Sequence, residues 1–325
     1  MNDSKSKKPE QIHSQVQFVE VEEDRAGQRI DNFLLSQLKG VPKSRIYRIV
    51  RKGEVRVNKG RVKVEYKLKS GDMVRIPPIR VAEAKELAKP SEQLSEHLLA
   101  AVLYEDDRFM IINKPSGLAV HGGSGVNLGL IESMRQLRPE CRYLELVHRL
   151  DKDTSGCIMI AKKRSMLRYL HAQLRSGGVQ KYYHALVTGH WSVKRRQVDE
   201  PLCKNEKLGE GRIVRVAQDG KPSLTRFKVL QHYKGCTLVE AKPITGRTHQ
   251  IRVHAQCVGH ALIGDPKYGD SEANKAMKGL GFNRLFLHAA SLEFVLPDTE
   301  ELFKVTAPLD ERLAVPLARL TREGG

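Results

Sequence analysis

Positive charge is spread so unevenly along this chain that a single uniform domain is excluded. Between Gln28 and Arg80 stand 15 lysines and arginines against 4 aspartates and glutamates, a net of +11, while the whole 325-residue chain carries +18. Within that segment Ile30, Phe33, Leu34 and Leu38 recur at helical spacing, and Gly40-Val41-Pro42 then breaks the chain before a second helix predicted near Lys43 to Lys52. On the second helix Ile46, Ile49 and Val50 share one face, and Arg45, Arg48, Arg51 and Lys52 share the other. A solvated face usually mixes both signs of charge, so a purely basic face fits contact with phosphates. Lys43, Arg45, Arg48, Arg51 and Lys52 are therefore candidate phosphate-binding residues. Val55 and Val57 alternate into a turn at Asn58-Lys59-Gly60, and Gly71-Asp72 leads to a short strand, Met73 to Ile76.

The remainder divides around this module. Residues 1–17 are polar and lysine-rich, which predicts a disordered tail, and 18–80 form the basic domain. Residues 81–98 are charged and Ala/Glu/Lys-rich, a helical or loose linker, and 99–325 form a second domain. With 40% hydrophobic residues the chain can bury a substantial core, and a pI near 9.7 points to a polyanionic partner, nucleic acid first. No stretch approaches the roughly 20 apolar residues of a spanning helix. Met1-Asn2-Asp3-Ser4-Lys5 also lacks an apolar export core, so a cytoplasmic, membrane-free protein is expected.

Five scattered cysteines without a Cys-x-x-Cys pair predict small core residues in a reducing compartment. His249 and His254 stand five apart, and no histidine pair has the spacing of a helical metal site. His121-Gly122-Gly123-Ser124-Gly125 lacks the ending of a P-loop and predicts a mobile surface loop. Neither metal nor cofactor is expected. Short apolar runs at 109–113, 157–161, 181–187, 225–230, 237–242 and 285–287, with a helix around Leu167 to Leu174, predict an α+β domain with a mixed, largely antiparallel sheet.

Three strings carry candidate chemistry. His148-Arg149-Leu150-Asp151-Lys152-Asp153-Thr154-Ser155-Gly156 sets an acid between a basic pair and a tight turn, just before the core strand Cys157 to Ala161. An isolated aspartate before a turn ordinarily caps backbone groups. In Lys181-Tyr182-Tyr183-His184-Ala185-Leu186-Val187, alternation sends Tyr183, Ala185 and Val187 to one side of a strand, where a tyrosine is often only structural. In Gly246-Arg247-Thr248-His249-Gln250-Ile251-Arg252-Val253-His254, Thr248 is placed to cap a helix. His249, Arg252 and Gln256 would share one face of it, and Ile251 and Ala255 another.

Together these strings resemble the signatures of the RluA-type pseudouridine synthases. The likeness runs on through Ala119-Val120-His121-Gly122-Gly123 to Asn283-Arg284-Leu285-Phe286-Leu287-His288-Ala289-Ala290. The basic module, with Lys52-Gly53-Glu54-Val55-Arg56-Val57-Asn58, is similar to an S4 RNA-binding domain. The resemblance implies the pseudouridine synthase fold and isomerisation of selected uridines in 23S ribosomal RNA, with the N1 glycosidic link exchanged for one through C5. It implies Asp151 as the catalytic carboxylate, Arg252 as its partner, Tyr183 against the base and Arg149 as the side chain filling the space of a flipped nucleotide. His148 and Arg247 join Arg149 as expected RNA contacts.

An ionised Asp151 would begin the reaction by addition to the base, attack at C1′ or removal of a sugar proton, and a fixed guanidinium favours that charged state. A monomer is expected. Two other readings are a non-catalytic RNA-binding or ribosome-assembly protein and the same isomerase acting on transfer RNA.

Overall fold

The computed structural model describes residues 11–13, 15–38, 40–81, 88–122, 128–205 and 213–322. Most of the expected tail, part of the linker and the end of the His121 to Gly125 string lie outside the described residues. The chain divides into two compact units, residues 1–88 and 89–325.

In the first unit, helices Ile30–Gln37 and Lys43–Arg51 stand over a three-stranded antiparallel sheet. Met73–Ile76 is its central strand, between Gln17–Glu20 and Arg56–Val57. Ile30, Phe33, Leu34, Ile46, Ile49, Val50, Val55, Val57, Val74 and Ile76 meet in one core, so the predicted apolar faces are the ones that pack. Asn58 and Lys59 both take positive φ, 48° and 66°, and close the two-residue turn between Val57 and Gly60. Two expectations change. Gln11–His13, inside the expected tail, pairs with Ile79–Val81, which itself continues past Pro78. In the expected linker, Glu92–Ala100 is a helix capped by Ser91, and its Leu98 is buried in the core of the second unit.

The second unit is built on a ten-stranded sheet. Its main path runs Gln197–Asp199, Leu224–Tyr233, Cys236–Pro243, Gln180–Thr188, Leu287–Val295, Ser155–Ala161, Phe109–Lys114 and Val102–Glu105. Leu302–Thr306 and Glu145–Leu146 pair alongside this path. Neighbours are antiparallel except Leu287–Val295 with Ser155–Ala161, which run parallel, so the sheet is mixed and largely antiparallel as expected. The strand expected at 285–287 in fact runs Leu287–Val295. Leu287, Ala289, Ala290, Leu292 and Phe294 are all buried, so it shows no clean alternation to read. Cys157 and Cys236 are core residues as expected, whereas Cys141 and Cys203 are half-buried and Cys257 is exposed.

The one parallel pairing decides where the acidic loop sits. Gly156 has φ 108°, and a Cβ there would lie 2.3 Å from the carbonyl oxygen of Ala289. Only glycine allows that approach. Gly156, Ala289, Tyr183, Ala241 and Phe227 stand opposite one another on successive strands. The strand that follows Asp151 is thereby locked two strands from the one that carries Tyr183.

Candidate active site

Asp151 occupies a loop held by backbone contacts on several sides. Its carbonyl accepts from Thr154 N–H, and the next carbonyl, of Lys152, accepts from Gly117 N–H at 2.9 Å and from Lys114 Nζ at 3.0 Å. Ser116 Oγ donates to the carbonyl of Asp153. Lys114 is fully buried, and its amine also donates to the carbonyls of Pro115 and Leu118. Burial pulls its pKa down to about 7, opposed by the charges of Asp153 and Asp151. The segment from Lys114 to Gly117 thus fixes the loop from behind.

Arg252 Nη1 lies 3.4 Å from Asp151 Oδ2. The guanidinium is held from its other side by Asp265, with Nε to Oδ2 at 2.8 Å and Nη2 to Oδ1 at 2.7 Å. Both side chains are buried, at 3% and 0% exposure, so a planar two-point clamp sets the direction of the remaining nitrogen. Burial alone would lower the Arg252 pKa, but the hydrogen bond and charge of Asp265 outweigh it and the net shift is upward. The same pair runs in reverse for Asp265: burial pushes its carboxyl up, and Arg252 with the Lys267 and Tyr268 N–H groups brings it below its ordinary value. Arg252 therefore remains a cation and Asp265 an anion.

His249 forms the second contact to the acid, with Nε2 3.7 Å from Asp151 Oδ2. Its Nδ1 is 2.7 Å from the Tyr268 hydroxyl, which already accepts from Val214 N–H. Burial lowers the His249 pKa, opposed by Asp151. His249 sits at φ 54°, in the left-handed region, immediately before the buried helix Gln250–Cys257. Thr248 does not cap this helix. Gln250 turns back instead: its Oε1 accepts from Thr245 Oγ1 and Arg247 N–H, and its Nε2 donates to Leu224 O and Thr225 Oγ1. Because Gln250 to Ala255 are all buried, the expected division into two faces does not hold.

Asp151, Tyr183, Arg252 and His249 line one cavity of about 300 Å3, in the range of small-ligand sites. The three expected catalytic residues, drawn from three separated strings, are thus brought together. Tyr183 is buried, and burial followed by the Asp151 charge holds its phenol protonated. Arg149 and Arg247 are exposed at the rim. His148 lines the cavity too, but its Nε2 accepts from Met159 N–H at 3.2 Å, and burial lowers its pKa to about 3. A neutral ring offers no charge to a phosphate. In the first unit Lys43, Arg45, Arg48, Arg51 and Lys52 are all exposed, and none of them forms an ion pair among the described residues.

Asp265, His249, Tyr268 and Lys114 were not among the expected site residues. Asp265 stands 13 residues beyond Arg252, and folding brings its carboxylate against the guanidinium. Among the described residues no cluster of histidine, cysteine and acidic side chains has the geometry to hold a metal.

The chain is similar to known proteins. The family profile for RNA pseudouridylate synthase matches residues 108–257, and that for the S4 domain matches 28–74. Ribosomal large subunit pseudouridine synthase C of Escherichia coli (strain K12) is 58% identical over 308 residues, covering 94% of this chain and 97% of that one. The protein of the same name from Vibrio cholerae is 54% identical, covering 95% and 98%. Among solved structures, human RNA pseudouridylate synthase domain containing 4 superposes with a TM-score of 0.59 at 27% identity, covering 71% of this chain and 97% of its own. Human RNA pseudouridylate synthase domain containing 1 gives 0.57 at 28%, covering 73% and 92%. The chain belongs to the RNA pseudouridine synthase family, with an S4 domain ahead of its synthase domain.

Proposed function

We propose that this protein isomerises uridines of large-subunit ribosomal RNA to pseudouridine, with Asp151 as the group that initiates the reaction. The observation that carries the mechanism is a solvent-reachable acid set against an arginine whose position is dictated from behind. Asp151 is 31% exposed, while Arg252 beside it is buried and clamped by Asp265. The ribosomal substrate is supported by the names of the relatives and by the basic S4 unit.

The isomerisation breaks the N1–C1′ bond and forms C5–C1′; a proton leaves C5 and N1 gains one. No electrons are exchanged with an external partner, so neither cofactor nor metal is assigned. Arg252 aims the Asp151 carboxylate, which serves attack or proton removal equally. Tyr183, protonated at the cavity wall, packs the base. The target nucleotide leaves its stack at a cost of a few kcal/mol, and Arg149 at the rim is assigned to the vacated space. No described helix is long and apolar enough to cross a membrane. We assign a cytoplasmic monomer.

The test is to incubate the purified chain with unmodified 23S ribosomal RNA transcript, and separately with transfer RNA transcripts, and map pseudouridine by carbodiimide stops. New stops in the ribosomal transcript, absent with Asp151→Asn, are expected. Stops confined to transfer RNA would overturn the substrate, and tight binding without stops would leave a binding protein instead.

A further inference from the structure

The S4 unit carries a second basic surface, away from the helix. The inner face of its sheet packs Val57, Val74 and Ile76 into the core. Alternation along the strands then sends Phe18, Arg75 and Arg56 to the outer face, where Phe18 stands opposite Arg75, and Arg75 opposite Arg56. Helix Lys43–Arg51 buries Ile46, Ile49 and Val50 in that same core, so its basic side chains and the outer sheet face lie on opposite sides of the unit.

Three features of this face do not follow from stability. Phe18 is 65% exposed and Met73 is 38% exposed, side by side with Arg56, Lys59 and Arg75 around a concavity of about 820 Å3. Two arginines directly opposite on neighbouring strands repel one another. No carboxylate pairs with either among the described residues, and their contacts are to neutral carbonyls: Arg75 to Glu54, Arg56 to Gly53 and Lys59. Those carbonyls orient the guanidiniums without neutralising them. Lys59 holds a left-handed turn position, φ 66°, where glycine would sit more easily, and its side chain borders the concavity. The nearest acid of these strands, Glu20, stands across from Met73.

We propose that this outer sheet face is a second RNA-binding surface that holds one unpaired nucleotide, its base stacked on Phe18 against Met73 and its phosphate between Arg56 and Arg75. An aromatic platform beside uncompensated arginines is the combination that binds single strands with little regard to base identity. A protein partner would have to bring acids and an apolar side chain together, whereas every nucleotide carries both a π-face and an anion. The surface rests on the S4 unit alone and is independent of the role given to Asp151.

The test uses the full chain and a fluorescein-labelled oligoadenylate of about ten nucleotides, which contains no uridine for the synthase cavity. Anisotropy titrations across a salt series would compare wild type, Phe18→Ala and the double variant Arg56→Gln/Arg75→Gln, with thermal melts to show that each remains folded. Phe18→Ala should bind about tenfold more weakly, and the double variant should lose about 0.7 from the slope of log affinity against log salt. Neither should change affinity for a duplex RNA, which Arg45→Gln/Arg48→Gln should weaken. An oligoadenylate bearing 8-azidoadenosine should crosslink wild type at the peptides of Phe18 or Met73. Wild-type affinity and slope in both sheet variants, with no such crosslink, would overturn the proposal. So would a dimer in sedimentation that Phe18→Ala converts to monomer, because the face would then belong to a second copy.

Discussion

The basic helix of the S4 unit and the arginine of the synthase cavity use the same functional group in opposite ways. On Lys43–Arg51 the arginines are exposed and lack ion pairs among the described residues, so each is a mobile charge contributing to a common field. Arg252 is 3% exposed and touches Asp265, Asp151 and the ring of Tyr268, with 5.0 Å from guanidinium carbon to ring centre. The first kind of site works by sum and tolerates loss of a member. The second works by direction, and its loss is concentrated in one residue.

The difference should be most visible at Arg252. Arg252→Gln strands the buried Asp265 carboxylate, and breaking a buried pair from one side costs about 3–5 kcal/mol, read as a lowered urea midpoint. Asp265→Asn is a gentler probe: it keeps an acceptor but releases the clamp, and turnover should fall about 100-fold while RNA affinity stays at the wild-type level. An unchanged turnover would show that Asp151 needs no aimed arginine.

The synthase unit should also be acid-sensitive in a way the helix is not. His288 is 1% exposed; its Nε2 donates to Ala307 O and its Nδ1 accepts from Ser155 Oγ, so its ring is neutral. Burial lowers its pKa to about 4 from 6.5. Below 6.5 the unfolded chain takes up this proton and the folded chain does not, so stability is complete above 6.5 and falls towards 4. The loss from this residue is about 3 kcal/mol, measured by urea unfolding at several pH values. A His288→Asn variant should lessen the dependence across that window, with the contribution of His148, whose pKa burial lowers to about 3, remaining. The smallest effect belongs to the helix: Arg48→Gln should leave stability and turnover unchanged and lower the salt slope of RNA binding by about 1. A loss of turnover there at saturating RNA would blur the distinction between the two regions.

The same contrast explains what could be read before folding. The basic face, its two helices and the Asn58-Lys59 turn were legible because they depend on charge, periodicity and local turn chemistry within about 50 residues. Asp151, Tyr183 and Arg252 were reached through their strings and a family resemblance, and the structure brings all three to one cavity. Asp265 and Lys114 were not reached, because their tasks are contacts made across the sheet: one steadies an arginine and the other a carbonyl. The neutral state of His148 was hidden for the same reason, since burial and the bond from Met159 N–H arise only in the fold. Thr248 failed as a cap because the helix starts one residue later than expected, with His249 at φ 54° in the capping position and no side chain bonded to the helix start.

The most direct test is single-turnover release of tritium from a 23S transcript made with 5-tritiated uridine, comparing wild type with Asp151→Asn. Pseudouridine formation must expel the C5 hydrogen. Wild type should release tritium at specific sites, and the variant, binding RNA equally well, should be slower by at least about 10^4-fold. Equal release from both proteins would contradict the central role given to Asp151.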